Sequence, residues 1–215
     1  MSHRVIIAAF IALAYLVPTD SWAASCPKSA APGWSSQLRQ LSAECENNIL
    51  SPDRQLNFHV GSKERIVITR HNVPLRFGGK KGLSLPAVLS WAPDSKTVAL
   101  NDGNGSGINS QLRVIRINRN SAVERQHVNS LIINEYRGRV HCNRTADNPN
   151  VYAVGWSSNG ALLLTVAQAT VNAPCGKPEQ YLGFVIDIKG GRLSRILSTK
   201  EAQREWRQFL PKELL

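Results

Sequence analysis

Two segments of the chain begin like known chemical motifs, but neither completes its motif. Residues 155–159 read Gly-Trp-Ser-Ser-Asn, and Asn159 stands where the G-x-S-x-G turn of serine hydrolases needs its second glycine. Residues 102–107 read Asp-Gly-Asn-Gly-Ser-Gly and resemble the first half of a calcium loop. The last position of such a loop is Arg113, where calcium requires a bidentate glutamate. We therefore predict no catalytic residue, no metal site and no cofactor, and we interpret residues 102–107 as a hairpin turn.

Candidate binding residues lie in two long segments, 137–150 and 170–180, which we expect to be loops. In an antiparallel meander, the loop that enters the first strand and the loop that joins the second to the third lie at the same end of the sheet. Both segments are therefore predicted to share one face, and long loops on a rigid β scaffold are where binding sites usually lie. The candidate binding residues are Arg137, Arg139, His141, Arg144 and Lys177.

The charge of the chain is strongly positive. It has 26 Lys and Arg against 15 Asp and Glu, which gives a formal net charge of +11. This excess either is dispersed and keeps the protein soluble, or attracts anionic envelope polymers, phospholipid headgroups or an acidic partner, for which arginine is well suited. We predict no nucleic-acid partner, because no recognition motif is present and the chain carries an export signal.

The export signal is at the N-terminus. Arg4 precedes an apolar run from Val5 to Val17, which is too short to span a bilayer, and small residues then lead to a cleavage site after Ala23. We predict a signal peptide over 1–23 and a single domain over 24–215, with no transmembrane segment. The mature protein would be periplasmic or secreted.

Four cysteines lie in the exported part of the chain: Cys26, Cys45, Cys142 and Cys175. An oxidising compartment favours two disulfides, for which three pairings exist. Nearness in sequence favours Cys26–Cys45 and Cys142–Cys175. Lipid attachment at Cys26 is the less favoured alternative, because the usual leucine three residues earlier is absent. The spacing of the cysteines does not indicate a zinc site.

A repeated pattern runs along the middle of the chain. Each copy has a strand end, a tight polar turn and an apolar strand, and the copies are Leu50–Phe58, Ser90–Leu100 and Gly155–Leu164. Asp53 and Asp94 are 41 residues apart, which matches one propeller blade. Asp94 and Asn159 are 65 apart, which corresponds to one blade plus an insertion of about 24 residues.

The second copy, Trp91-Ala92-Pro93-Asp94-Ser95-Lys96-Thr97-Val98-Ala99-Leu100, resembles the TolB-type β-propeller repeat. The likeness covers about residues 50–198, and the other two copies resemble the repeat more weakly. The resemblance implies four-stranded antiparallel blades and a role in binding, as in cell-envelope complexes, rather than in chemistry. Trp91 and Trp156 are expected to pack between blades.

The predicted fold class is all-β, with the antiparallel meander blades of a TolB-like β-propeller and short helices at both ends. Three visible copies are fewer than the four to eight blades of a closed propeller. Either residues 24–50 and 119–150 contain further strands, or the stack is open or completed by a partner. An open stack would favour a homodimer that covers its edges.

The two terminal helices are predicted from apolar spacing and capping. Ser198 and Glu201 form a capping box, and a stripe follows on one helix face: Ala202, Trp206, Phe209 and Leu210. A second helix is predicted from Trp34 to Cys45, with Leu38 and Leu41 facing inward. Both helices are expected to cap exposed sheet edges.

These observations predict an exported, non-catalytic binding or scaffold protein of the bacterial cell envelope. Its propeller-face loops would hold an envelope protein or an anionic polymer. The main alternative is a small secreted hydrolase or a peptidase accessory factor. A third is an inhibitor or effector that acts on other cells.

Overall fold

The computed structural model describes residues 37–42, 48–103, 110–141, 148–170, 176 and 180–215. Within these residues, strands form three sheets and two α-helices pack against them. The strands are β1 Arg39–Leu41, β2 Asn48–Leu50, β3 Leu56–Gly61, β4 Arg65–Arg70, β5 Val73–Pro74, β6 Arg76–Gly78, β7 Ala87–Trp91, β8 Thr97–Asp102, β9 Gln111–Ile117, β10 Ser121–Glu124, β11 Asn150–Trp156, β12 Leu162–Gln168, β13 Tyr181–Asp187 and β14 Arg192–Leu197. The helices are α1 Gln126–Arg139 and α2 Thr199–Glu205. The predicted signal peptide and the four cysteines lie outside the described residues.

Each sheet contains an antiparallel meander of four strands in sequence order, which is the arrangement of a propeller blade. Blade 1 is β2-β3-β4-β5, blade 2 is β7-β8-β9-β10 and blade 3 is β11-β12-β13-β14. Blade 2 is extended at one edge by β1, which pairs antiparallel with β7, and at the other by β6, which pairs parallel with β10. The prediction of an all-β fold built from antiparallel meander blades is confirmed.

The three repeat turns have the same backbone conformation. Arg54, Ser95 and Gly160 occupy the same turn position with φ of 61°, 58° and 71°. The N–H of each donates to the carbonyl three residues earlier, at 2.8, 2.9 and 2.9 Å. A positive φ costs energy in residues other than glycine, so the shared geometry shows that the turns are equivalent despite their different sequences.

A side-chain oxygen stabilises each of these turns in the same way. Oδ1 of Asp53, Asp94 and Asn159 accepts from the N–H two residues further on, at 3.1, 2.9 and 3.0 Å. This Asx-type bond explains why all three copies have Asp or Asn at this position. The repeat inferred from the sequence is therefore present as three structurally matched turns.

The core lies between the blades. One apolar cluster joins blades 1 and 2 and includes Phe58, Ile68, Leu89 and Ile115. A second joins blades 2 and 3. The other face of blade 3 packs against α2 and the C-terminal residues rather than against blade 1. The described blades therefore form an open stack and do not close into a ring.

Helix α1 is the insertion between blades 2 and 3, and the sequence pattern did not predict it. Its buried residues Val128, Ile132 and Tyr136 recur every four residues and enter the cluster between these two blades. The described residues of 119–150, which are 119–141 and 148–150, thus hold strand β10, this helix and the start of β11, rather than an additional blade.

The C-terminal helix begins as predicted but ends earlier. Ser198 Oγ accepts from the Glu201 N–H while the Glu201 carboxylate accepts from the Ser198 N–H, so the capping box is formed. The helix ends at Glu205, and turns carry Trp206 and Leu210 into the cluster on blade 3. This segment covers the face of blade 3, not a sheet edge as expected.

The predicted helix over Trp34–Cys45 is wrong where the structure describes it. Arg39–Leu41 is the strand β1, although Leu38 and Leu41 are buried as expected. The inner edge of β7 offers unpaired backbone groups, and pairing with β1 satisfies them. Gln37 also reaches blade 3, where its Oε1 accepts from the Trp156 N–H at 2.8 Å.

Candidate functional site

One end of the blades, which we call the insertion end, carries the β3–β4 turn, the end of β8 and the segment 79–84 that enters blade 2. This segment is bonded to both neighbouring blades. The Ile66 N–H donates to the Lys81 carbonyl at 2.9 Å, and the Leu83 N–H donates to the Glu64 carbonyl at 3.0 Å. On the blade 2 side, the Ser84 N–H donates to Asp102 Oδ1 at 2.6 Å.

Arg113 on β9 is the centre of a buried ionic cluster beneath this segment. Its side chain is only 4% exposed and forms ion pairs with Asp102 at 3.1 Å and Glu124 at 3.0 Å. The guanidinium also donates to the backbone carbonyls of Gly82, at 2.7 Å, and Lys80. With Nε and Nη2 both donating to Glu124, all five of its N–H groups have acceptors.

The cluster fixes the backbone of segment 79–84, while its lysine side chains stay exposed to solvent and Lys80 Nζ lies 4.0 Å from Asp102 Oδ2. The Lys80 N–H donates to Glu124 Oε2 at 3.0 Å, yet the Lys80 side chain is 62% exposed. Lys81 is exposed as well. Arg113 has no donor left for a ligand, so its role is to position the segment that presents these two lysines.

The C-terminal end of α1 lies near the same end of the blades. Tyr136 packs beside Ala169 and Gly176, which follow β12, because a Cβ at Gly176 would lie 2.7 Å from the Tyr136 hydroxyl. Burial raises the pKa of Tyr136. The Ser110 N–H donates to Asn150 Oδ1 at 2.8 Å and joins the start of β9 to the start of β11.

The candidate binding residues are placed differently from the prediction. Arg137 and Arg139 lie in the last turn of α1, not in a loop, because the helix continues to Arg139. Arg137 is half-buried and donates to Asn148 Oδ1 at 3.0 Å. Arg139 and His141 are exposed. Two cations in the last turn favourably oppose the negative end of the helix dipole, which gives them a structural role too.

Arg144 and Lys177 lie outside the described residues, as do both predicted disulfides. Most of the glycine-rich segment 102–107 is also outside them. Its first residue, Asp102, is described, and both of its carboxylate oxygens are bonded to Ser84 and Arg113. Asp102 therefore uses both carboxylate oxygens in hydrogen bonds within the protein, and the turn interpretation of residues 104–107 lies outside the described residues.

The serine in the hydrolase-like segment is held inside its turn. Ser157 Oγ donates to Asn159 Oδ1 at 2.8 Å and accepts from the Leu162 N–H at 3.0 Å. Trp156, next to it, is buried between blades as expected. Among the described residues, no three His, Cys, Asp or Glu side chains meet in a metal-binding group.

The sequence reasoning considered Arg113 only as a position in a calcium loop and missed its structural role. The sequence did contain a signal for this role. An arginine within the apolar strand segment Leu112–Ile117 needs buried partners for its charge. A group of arginines at the opposite end of the blades was missed entirely: Arg70, Arg76 and Arg119.

Comparison with known proteins gives limited similarity. No protein-family model matches this sequence, and no curated protein matches it. The structure is similar to that of the periplasmic gluconolactonase PpgL of Pseudomonas aeruginosa, with a TM-score of 0.38 and 17% identity. The similarity covers 77% of this chain and 45% of that chain, so this chain spans less than half the length of that protein. No described helix is long and apolar enough to cross a membrane.

Proposed function

We propose that this chain is an exported, non-catalytic binding protein of the bacterial cell envelope with a TolB-like open propeller. Its insertion end holds an acidic protein or an anionic polymer. The export assignment comes from the signal-peptide pattern of residues 1–23, and the propeller assignment from the three matched blades.

The observation that carries this proposal is the fixed backbone beneath Lys80 and Lys81. Arg113 holds the carbonyls of Lys80 and Gly82, and Glu124 holds the Lys80 N–H. A loop already fixed in one conformation loses little entropy on binding, so its exposed charges contribute more to affinity. Burying the charge of Arg113 costs desolvation free energy, and the segment that this buried side chain holds in place is the loop with Lys80 and Lys81.

Further exposed cations extend this surface. Lys63 lies in the β3–β4 turn, Arg65 directly follows it, and Arg139 lies at the end of α1. Among the described residues of this end, exposed cations outnumber exposed carboxylates, of which Glu64 lies in the same turn. Such a surface would attract anionic partners at long range, and salt would weaken the attraction.

The proposal can be tested by capture from native periplasm with the mature protein and two double variants. K80E/K81E reverses both charges on the fixed loop, and K200E/K212E makes the same change at exposed positions of the C-terminal segment. We expect K80E/K81E to weaken capture about tenfold or more, and K200E/K212E to leave it within about twofold. Equal losses in both variants would show that only net charge matters, and no loss in either would place the binding surface elsewhere.

A further inference from the structure

The end of the blades opposite the insertion end, which we call the turn end, carries three arginines around one hairpin. The hairpin is residues 118–120, between β9 and β10. Arg70 Nη2 donates to the Asn118 carbonyl at 3.4 Å. The Arg76 backbone N–H donates to the Asn120 carbonyl at 3.4 Å, and Arg119 lies between these two asparagines. We call Arg70, Arg76 and Arg119 the arginine triad.

The triad is far from the lysines of the insertion end. Strand β9 runs from the insertion end at Gln111 to the turn end at Ile117. Seven residues of strand span roughly 20 Å, at about 3.3 Å per residue. The two surfaces therefore cannot be contacted by the same small group.

Arg70 has unused hydrogen-bonding capacity in a partly buried position. Its Nε is buried and has no hydrogen-bond partner among the described residues. The hydrogen bond from its Nη2 to the Asn118 carbonyl is long at 3.4 Å. This is the opposite of Arg113, whose five N–H groups all have acceptors. A buried donor without an acceptor costs free energy, so a small movement of the Arg70 side chain that brings this N–H to an incoming acceptor would be favourable.

The carboxylates of the turn end form no close ion pair with the triad among the described residues, although Asp53 lies near enough to Arg70 for the two charges to attract each other. None of the three arginines lies within 4.0 Å of a carboxylate of the described residues. Asp53 Oδ1 accepts from the Ser51 hydroxyl at 2.6 Å and from the Gln55 N–H at 3.1 Å. Burial raises the pKa of Asp53, but these hydrogen bonds, Ser95 and the charge of Arg70 together lower it. Exposed Arg54 and Lys96 add positive charge at this end.

We propose that the arginine triad is a binding site for a phosphate group. A guanidinium presents parallel N–H donors that match phosphate oxygens bidentately, and three guanidinium groups offer more donors than a flat carboxylate can accept. Arg70 supplies the partly buried donors, and the exposed Arg76 and Arg119 supply charge at the rim. The phosphate could belong to a soluble polyphosphate chain or to a lipid headgroup, and the test distinguishes these sources.

The test measures binding of the mature protein to short-chain inorganic polyphosphate and to vesicles that contain phosphatidylglycerol. The variant R70Q/R76Q/R119Q removes the triad, and R192Q/R204Q/R207Q removes three exposed arginines at blade 3 and the C-terminal segment. We expect the triad variant to bind at least one of the two probes about tenfold more weakly, and the control variant to bind both within about twofold. Loss on polyphosphate alone identifies a soluble phosphate, and loss on vesicles alone identifies a headgroup.

Equal losses in both triple variants would overturn the proposal, because they would show that net charge alone drives binding. Unchanged binding in the triad variant would overturn it as well. R70K keeps the charge but loses the paired donors, and we expect it to weaken binding about threefold or more. If the triple variant does not fold, the single variants R70K and R119Q replace it in the test. R119Q should fold normally because Arg119 is exposed in a hairpin. Capture with K80E/K81E tests the insertion end and phosphate binding by the triad variant tests the turn end, so this proposal and the proposed function can fail separately.

Discussion

The indole Nε1 of Trp156 donates to Ser90 Oγ in the preceding blade at 3.0 Å. The same relationship occurs one blade earlier, where Trp91 Nε1 donates to the Ile49 carbonyl at 3.2 Å. Each acceptor is the next-to-last residue of the first strand of its blade. The tryptophan of the following blade crosses the gap between the blades to reach it. The repeat thus encodes the contact between blades as well as the turn within each blade.

The contact between Trp156 and Ser90 predicts a measurable coupling. W156F removes the donor and some ring volume, and S90A removes the acceptor. We expect W156F to lower the free energy of unfolding by about 2 kcal/mol, because a buried acceptor loses its partner and a small cavity forms. A double-mutant cycle in urea should give a coupling energy of about 1 kcal/mol. Additive effects would contradict the hydrogen bond between these residues.

The buried cluster predicts very different effects for two arginines of the same strand. R113M leaves the buried Glu124 carboxylate without a cation and Asp102 with only the exposed Lys80 at 4.0 Å, which should cost about 3–5 kcal/mol of unfolding free energy. Arg116 lies on the other face of β9, with no described carboxylate within 4.0 Å, so R116M should change stability by about 0.5 kcal/mol or less. Urea unfolding measures both. Comparable losses would mean that Arg113 is not central to the fold.

Much of the fold could be predicted from the sequence because its signals are local. The turn residues Asp53, Asp94 and Asn159 act within their own turns, and the blade spacing follows from them. The first copy of the repeat lacks the tryptophan that the other two copies have as Trp91 and Trp156, and this absence has a physical reason. Leu50 occupies the equivalent position and is 50% exposed, since no described blade precedes it for an indole to reach.

The parts that could not be predicted depend on contacts between distant segments. Strand β1 is fixed by pairing with β7, and nothing in Arg39–Leu41 itself requires a strand. Arg113 has a structural role only because the fold places Glu124 and the Lys80 carbonyl, which are distant in sequence, within hydrogen-bonding distance of its guanidinium. Helix α1 lacks a side-chain cap, so no sequence signal marks its beginning.

Two glycines should respond oppositely to substitution by alanine. A Cβ at Gly183 would lie 2.7 Å from the Trp206 ring, so G183A should push the C-terminal segment off blade 3 and cost about 1–3 kcal/mol. Gly138 is an exposed helical residue with nothing within 4 Å of a Cβ, so G138A should stabilise the protein by about 0.5–1 kcal/mol. Thermal unfolding compares the two variants. A neutral G183A would show that the Trp206 contact is loose.

Alkaline titration should report the packing of blade 3. Burial raises the pKa of Tyr152 and of Tyr181 to about 12, from the ordinary value of 10.0. Because the folded pKa lies above the unfolded one, this contribution to stability is complete below pH 10 and is lost as the pH rises through about 12. Phenolate absorbance should therefore increase later in the native protein than in the unfolded chain. Identical titration curves would contradict the burial.

The central claim is that the insertion end is the binding surface, and site-specific photo-crosslinking tests it most directly. A photoreactive side chain is placed at Lys81, on the loop held by Arg113, and in a second protein at Lys200, on the C-terminal helix. Both positions are exposed, so they differ in location rather than accessibility. The account predicts a crosslinked species from native periplasm at Lys81 that K80E weakens, and none at Lys200. Crosslinking at Lys200 alone, or equally at both positions, would contradict it.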